Sequence, residues 1–293
     1  MTVPPPSGAG ARTTGALAGH QGLPLAFDVR GTPERGTVLM LHGGAQTRHA
    51  WDYTAERFAL AGFRAVTLDL RGHGESGWPA DGDYTEAAFM GDVRAVLDAF
   101  GPCAVVGASL GGIVALLATA TPRCRPDLTA LVMVDIAPRM EPAGVDRIVG
   151  FMTAHPDGFT SAEAAADAIA AYLPHRPRPT DLGGLGKNLR QREDGRYVWH
   201  WDLTLLRAGN LAANRDSTGL RDAAAALDLP TLLVRGSLSD LLSDEGVREF
   251  LELCPGAATV DVRGAHHMVV GDRNDAFCDA VIAFVSQLSP PGG

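Results

Sequence analysis

The stretch "CAVVGASLGGIVALLATA", residues 103–120, joins two apolar segments through the pentapeptide "GASLG" at 107–111. The left segment has the length and β-branched content of a buried strand, and the right segment has the composition of a buried helix. The pentapeptide fits the pattern G-x-S-x-G, in which glycines allow close backbone approach and a serine occupies a strained strand-to-helix turn. That turn exposes the serine hydroxyl, so Ser109 is the candidate nucleophile.

Short apolar runs like the one before Ser109 recur along the chain, each bounded by glycine or an acidic residue. They lie at 24–31, 37–44, 64–72, 103–109, 128–136, 231–237 and 258–265. Stretches typical of helices lie between most of them, at 50–61, 85–100, 111–120, 243–253 and 273–288. Continuous apolar strands that alternate with helices predict an α/β fold with a mostly parallel sheet flanked by helices.

The interval 139–228 interrupts this alternation. It contains "SAEAAADAIAAYL" at 161–173, which begins with a capping-box pattern, and then proline-rich and glycine-rich segments. So long an interval between two strands predicts an inserted helical cap over one end of the sheet. The core is then formed by 23–138 and 229–290, and residues 1–22 are predicted to be a disordered leader.

Charge and composition limit the classes of partner. The chain has 293 residues, with 25 Lys plus Arg against 34 Asp plus Glu, a net charge of −9. An acidic protein is a poor partner for nucleic acid or an anionic membrane, so we expect a small-molecule ligand. No signal peptide or membrane span is evident, and the 4 cysteines suit buried thiols in a reducing compartment. These features predict a soluble cytoplasmic protein and leave a homo-oligomer open.

A serine nucleophile requires a base to accept its proton and an acid to orient that base. After this kind of elbow the chain order is serine, then Asp or Glu, then histidine. Asp240 follows the strand in "LLVRGSLSD" and is the first choice for the acid, with Asp135 in "VMVDIAP" as its rival and Asp244 behind both. The base is predicted in "GAHHM", at His266 or His267.

The ordered set "LMLHGG", "LDLRGHGES", "GASLGG", "LLVRGSLSD" and "GAHHM" resembles the α/β-hydrolase superfamily from residue 23 to about 288. Within it, the chain most resembles esterases, lactonases and cofactor-free perhydrolases. Family members commonly read Gly-x-Gly-His near the C-terminus, and alignment on Gly264 makes His267 the base. His266 then replaces a family glycine, which is a departure from the pattern.

The resemblance also implies an oxyanion hole and two structural histidines. The backbone N–H groups of Gly44 and Leu110 are expected to face the oxyanion, with Ala45 as the alternative to Gly44. The resemblance implies that His42 braces this loop and that His73 supports the floor of the site. It implies no cofactor and no metal ion.

Aromatic residues near these motifs are candidates for a substrate pocket. Trp51 and His49 follow the oxyanion loop, while Trp199 and Trp201 lie in the inserted interval. Packing of the cap onto the core explains such aromatics nearly as well.

Together these features predict a serine hydrolase that cleaves a carboxylic ester or lactone through an acyl-enzyme. Epoxide hydrolases and dehalogenases are disfavoured because they need an aspartate where this chain has Ser109. The same triad could serve a perhydrolase (haloperoxidase-type) or a carbon–carbon bond hydrolase. A hypothesis of another class is a non-catalytic ligand-binding protein with this fold.

Overall fold

An eight-stranded sheet forms the centre of the structure, a computed structural model that describes residues 11–174, 178, 185–213, 217–267 and 274–288. Its order is β1-β2-β4-β3-β5-β6-β9-β10. The strands are β1 (Arg12–Ala18), β2 (Pro24–Arg30), β3 (Thr37–Leu41), β4 (Arg64–Leu68), β5 (Cys103–Ala108), β6 (Leu128–Val134), β9 (Thr231–Gly236) and β10 (Ala258–Val262). β1, β2 and β4 pair antiparallel and the other pairs are parallel, which confirms the predicted fold class.

The continuous apolar strands are buried on both faces. On β3, Leu39 and Leu41 pack into one core cluster, whereas Val38 and Met40 pack into the cluster on the opposite face. Successive side chains of a strand alternate between the faces of the sheet, so a strand covered on both faces needs apolar residues at every position.

The helices cover both faces of the sheet. Within the described residues they are, in chain order, α1 (Asp52–Leu60), α2 (Glu86–Phe100), α3 (Leu110–Ala120), α4 (Pro142–Thr153), α5 (Ala162–Tyr172), α6 (Thr218–Ala225), α7 (Asp244–Leu253) and α8 (Asp275–Leu288). α1 and α8 contribute Phe58 and Val281 to one cluster, while α2 and α3 contribute Val93 and Val114 to the other. All five helices predicted from the core segments are confirmed, with shifts of a few residues at their ends.

The prediction of a disordered leader over 1–22 is wrong for residues 12–22. Residues 12–18 form edge strand β1, in register from Arg12 opposite Arg30 to Ala18 opposite Pro24. Backbone hydrogen bonds to β2 hold this strand although its side chains alternate between exposed and half-buried, which gives it little hydrophobic signal. Residues 1–10 lie outside the described part of the chain.

The inserted interval 139–228 lies between β6 and β9. Its described residues form α4, α5 and α6, several short 3₁₀ helices and a hairpin of β7 (Leu189–Gln191) and β8 (Tyr197–Trp199). The described part of the interval therefore contains a β-hairpin that the sequence analysis did not predict, besides its helices. Within the described ranges, no helix combines the length and apolar character needed to cross a membrane.

Candidate active site

Ser109 lies on the turn between β5 and α3 with a backbone that L-residues rarely adopt. Its φ is 48° and its ψ is −115°. Its N–H donates to the Val134 carbonyl of the neighbouring strand, and its carbonyl accepts from Ile113 in the first turn of α3. The strain that the motif predicts at this serine is therefore present.

The glycines of the motif are required by backbone contacts. A Cβ on Gly107 would lie 2.3 Å from the carbonyl oxygen of Gly111, and a Cβ on Gly111 would lie 2.3 Å from that of Leu41. Both separations are too short for any side chain, so the strand and helix meet this closely only with glycine at these positions.

His267 contacts a buried aspartate. Its Nδ1 lies 2.7 Å from Oδ2 of Asp135, which is fully buried one residue after β6. The same carboxylate accepts hydrogen bonds from the Gly236 N–H, at 2.9 Å, and from the Ser239 hydroxyl. Three donors therefore orient Asp135, whose φ of 51° is a second left-handed non-glycine backbone at a strand end.

The first choice for the acid, Asp240, is corrected by this geometry. Asp240 Oδ2 pairs with the guanidinium of Arg147 at 2.7 Å, and both side chains are about two-fifths exposed. Asp244 is the first residue of α7 and pairs with Arg235. Since strands β6 and β9 are neighbours, an acid after either one can reach the same histidine, and the sequence does not distinguish the two.

The two adjacent histidines differ in their surroundings. His267 is nearly buried against Asp135, while the segment before it is held to the end of β9 through the hydrogen bond from Leu238 N–H to the Ala265 carbonyl. A Cβ on Gly236 would lie 2.6 Å from the carbonyl oxygens of Ala265 and His266. His267 is therefore joined to the buried carboxylate of Asp135.

Gly44 and Leu110 line the same cavity as Ser109. The loop that carries Gly44 is held by the Gly43 N–H, which donates to Oε1 of Gln46, and by Gly111 N–H, which donates to the His42 carbonyl. Leu110 is the first residue of α3, where a backbone N–H has no partner inside its own helix. Both predicted donors thus stand beside the candidate nucleophile.

His42 and His73 are buried beneath this loop. His42 Nε2 accepts from the Leu70 N–H at 3.0 Å and Nδ1 lies 2.8 Å from the Gly43 carbonyl, so Nδ1 carries the proton. Burial lowers the pKa of His42 to about 4 and that of His73 to about 3, where the nearby His42 also contributes. Both are neutral at pH 7 and make backbone contacts, as expected for structural residues.

The cavity beside Ser109 has a volume of about 450 Å³ and walls that are mostly aliphatic, with Arg139 and Glu249 as charged lining residues. One side of it is α4, from Val145 to Met152. Besides Gly44, Ser109 and Leu110, its described lining residues are Ile113, Ile136, Pro138, Arg139, Met140, Pro142, Val145, Ile148, Val149, Met152, Leu205, Leu206, Leu211, Ala212, Ser217, Leu241 and Glu249.

The four aromatic candidates for a substrate pocket are not among these described lining residues. Trp51 is fully buried on the α1/α8 face of the sheet, with its ring centroid 6.2 Å from that of Phe277. Trp199 and Trp201 stack on each other at 4.7 Å inside the inserted interval. His49 faces Asp28 and Asp52. The prediction that they line the cavity of Ser109 is therefore wrong, and packing explains the tryptophans.

Two residues near the candidate site were missed from the sequence. Ser239 donates to Asp135 and accepts from the N–H groups of Leu241 and Leu242, which ties the carboxylate to the β9–α7 loop. Met152 lies over Gly44, with its sulfur 3.6 Å from the position of a Cβ there. Met152 belongs to no motif, whereas Ser239 lies within "LLVRGSLSD", where only Asp240 was considered.

Comparisons with known proteins agree with the fold described above. The family model for the alpha/beta hydrolase fold matches residues 36–273. The esterase Rv0045c of Mycobacterium tuberculosis is 33% identical over 258 residues, which cover 83% of this chain and 80% of that protein. Its crystal structure superposes with a TM-score of 0.72 at 28% identity, over 95% of this chain and 94% of the other.

A second relative is the sn-1-specific diacylglycerol lipase ABHD11 of Mus musculus, 28% identical over 282 residues, which cover 90% of this chain and 86% of that protein. The family match spans most of the chain, and its relatives are named as esterases and lipases. This chain therefore belongs to the α/β-hydrolase family and is a hydrolase of the esterase type.

Proposed function

We propose that this hydrolase is a serine carboxylesterase for esters with an aliphatic acyl chain, and that Ser109, His267 and Asp135 are its triad. The observation that carries the proposal is the contact of His267 Nδ1 with the buried Asp135 carboxylate, at the strand end next to the strained Ser109 turn. Asp135 replaces Asp240, which was the first choice for the acid in the sequence analysis.

In the first half of the reaction, Ser109 Oγ attacks the ester carbonyl carbon and its proton passes to Nε2 of His267. Asp135 accepts a hydrogen bond from Nδ1–H of His267, which leaves Nε2 as the basic nitrogen that takes the proton. The carboxylate also stabilises the imidazolium that forms. The Gly44 and Leu110 amides donate to the oxyanion, and one such donor contributes roughly 3 kcal/mol.

Collapse of the tetrahedral intermediate breaks the bond to the alcohol oxygen, which takes the proton from His267 and leaves. Water then attacks the acyl-serine, gives its proton to His267 and releases the carboxylic acid. The described residues show no direct hydrogen bond between Ser109 Oγ and His267; such contacts often tighten only when substrate binds.

The cavity supports an apolar acyl chain as the recognised group. Met152, in the last turn of α4, lies over Gly44, while Val145, in its first turn, lies seven residues earlier. An α-helix rises about 1.5 Å per residue, so the aliphatic wall extends about 10 Å from the oxyanion loop. Each methylene buried there contributes about 0.8 kcal/mol, or roughly fourfold in binding. The names of the two relatives, an esterase and a lipase, also favour an ester.

The test is hydrolysis of p-nitrophenyl esters from acetate to decanoate by the wild type and Ser109→Ala. We expect kcat/KM to rise with chain length and then level off, and we expect Ser109→Ala to lose nearly all activity. Parallel assays use lactones, hydrogen peroxide with a short acid, and a carbon–carbon substrate. Turnover confined to any one of these three would contradict the ester proposal and identify the other use of the triad.

A further inference from the structure

Three potential metal ligands meet outside the cavity of Ser109. Asp28 lies on β2, His49 on the 3₁₀ helix Arg48–Trp51 that follows the oxyanion loop, and Asp52 at the start of α1. His49 Nδ1 is 3.4 Å from Asp52 Oδ2 and 4.0 Å from Asp28 Oδ2. All three donor atoms lie within 4.8 Å of one another, so one small ion could contact all of them.

Two of these atoms are buried without a hydrogen bond. The side chain of Asp28 is 3% exposed, and its Oδ1 accepts from the Thr14 hydroxyl at 2.6 Å. Asp28 Oδ2 and His49 Nδ1 make no hydrogen bond among the described residues, although Arg48 Nε forms an ion pair with Asp28 Oδ2 at 3.2 Å. A buried carboxylate oxygen that lacks a hydrogen bond is costly, and a bound ion is one of the ways in which proteins stabilise it.

Cationic side chains surround the cluster and must be included in its charge balance. Arg48 Nε lies 3.2 Å from Asp28 Oδ2, but Asp69 and Glu75 also neutralise that guanidinium. Lys187 lies 3.1 Å from Asp52.

Arg12 lies 3.8 Å from Asp28 and 3.9 Å from Asp52, and Arg30 lies 4.0 Å from Asp52. The side chains of Lys187 and Arg12 are 49% and 41% exposed. Both can swing into solvent when a cation takes their place, because long exposed side chains are only weakly held by such ion pairs.

We propose that Asp28, His49 and Asp52 bind a divalent transition-metal ion of the zinc class, with water as the fourth ligand. Nitrogen and oxygen ligands at the usual Zn²⁺ bond lengths lie about 3.4 Å apart in a tetrahedron. The His49–Asp52 separation already has this value, whereas Asp28 Oδ2, 4.0 Å from His49 Nδ1, has to move closer to both other ligands. An imidazole with two carboxylates is a ligand set that suits such ions.

A second, polar cavity provides a route to the cluster. It has a volume of about 290 Å³ and is lined by Thr47, Arg48, His49, Asp69, Gly74, Glu75, Gly186, Lys187 and His200. His49 and Lys187 thus connect the proposed ligands to this space, where water can complete the coordination. The ion would join β2 to the segment that directly follows the oxyanion loop. The ligands are dispersed along the sequence, which is why no spacing pattern marks them.

The experiment titrates tag-free protein with Co²⁺, whose d–d absorption reports bound metal, and with Zn²⁺ in competition. We expect one ion per chain, and a rise in Tm with Zn²⁺. His49→Gln, a neutral change at a partly exposed side chain, should weaken Co²⁺ binding roughly tenfold or more. Asp52→Asn gives an independent ligand deletion that avoids the buried Asp28.

The second imidazole–carboxylate pair supplies the matched control. His267→Gln should leave the Co²⁺ spectrum and affinity unchanged, because His267 is not among the proposed ligands. The proposal is overturned if the wild type shows no Co²⁺ absorption, or if His267→Gln abolishes binding while His49→Gln and Asp52→Asn retain it. The latter result would place the ion at Asp135 and His267 instead.

Discussion

His267 Nδ1 lies 2.7 Å from Asp135 Oδ2, and Asp135 directly follows the strand next to the one that leads to Ser109. The acid of the proposed triad is therefore supplied by the strand adjacent to the nucleophile. Asp240, one strand further along, is paired with Arg147 near the surface. The two aspartates should therefore respond differently to mutation.

Asp135→Asn should lower kcat by about ten-thousand-fold, because an amide no longer holds the imidazole in the tautomer that exposes a basic Nε2. Asp240→Asn should retain kcat/KM within about twofold and change the free energy of unfolding by less than about 1 kcal/mol, as for other exposed ion pairs. Steady-state kinetics on p-nitrophenyl butyrate measure both. Equal losses in the two variants would argue against Asp135 as the acid.

His267→Ala should abolish ester turnover, whereas His266→Ala should retain most of it. His267 is joined to the buried carboxylate of Asp135 and is the proposed general base, so its loss removes the group that accepts the serine proton. Activity assays on the two folded variants, checked by circular dichroism, make the comparison. The opposite pattern would mean that the histidine loop is offset by one residue in the working enzyme.

Ser109→Gly should raise the free energy of unfolding by about 1 kcal/mol while it abolishes activity. The serine has a φ of 48°, and glycine adopts such values without a steric penalty. Ser109→Ala is the matched control, since alanine keeps the strained backbone and should show no such gain. Urea unfolding of the three proteins gives the result, and a stability order with alanine above glycine would contradict the strain at this position.

Val145→Trp should shorten the range of acyl chains that the enzyme accepts. Val145 lies about 10 Å along α4 from Met152, at the far part of the cavity wall. The variant should lose kcat/KM on octanoate and decanoate esters and keep its value on acetate and butyrate. A uniform loss over all chain lengths would indicate a general disturbance of the cap.

The free energy of unfolding should fall as the pH is lowered from about 6.5 toward 4. Burial lowers the pKa of His42 to about 4 and that of His73 to about 3, so between these values and 6.5 the unfolded chain binds more protons. Each histidine then contributes a slope of up to about 1.4 kcal/mol per pH unit, and its full stability is present only above pH 6.5. His73→Gln should flatten the slope of the free energy of unfolding against pH. Urea unfolding at several pH values measures this slope. An unchanged slope would show that His73 is not buried in its neutral form.

The serine elbow and most of the core strands were predictable from the sequence alone. The elbow at Ser109 was predictable because only glycine at positions 107 and 111 allows the strand and the helix to approach so closely. Strands β3 and β5 were predictable because burial on both faces leaves a nearly continuous apolar run, whereas β10 is mostly exposed and was found from its alternation with helices. These features depend on residues that lie close together in the sequence.

Other parts depend on tertiary contacts. The choice of Asp135 over Asp240 rests on which strand end the histidine loop approaches, and that depends on hydrogen bonds from Gly236 and Ser239. Trp199 and Trp201 resembled pocket residues, yet they stack inside the cap. Edge strand β1 has its side chains largely outside the core, so its pairing is carried by backbone groups that every residue has.

The proposed triad makes Ser109 a nucleophile activated by His267 and Asp135. Labelling of the native protein with a fluorophosphonate, followed by peptide mass spectrometry and by the labelling rates of Asp135→Asn and Asp240→Asn, tests this activation. We expect one adduct per chain on the Ser109 peptide, at a rate greatly reduced in Asp135→Asn and unchanged in Asp240→Asn. An active enzyme that carries no adduct on Ser109, or that is labelled equally fast without Asp135, would contradict the proposed triad.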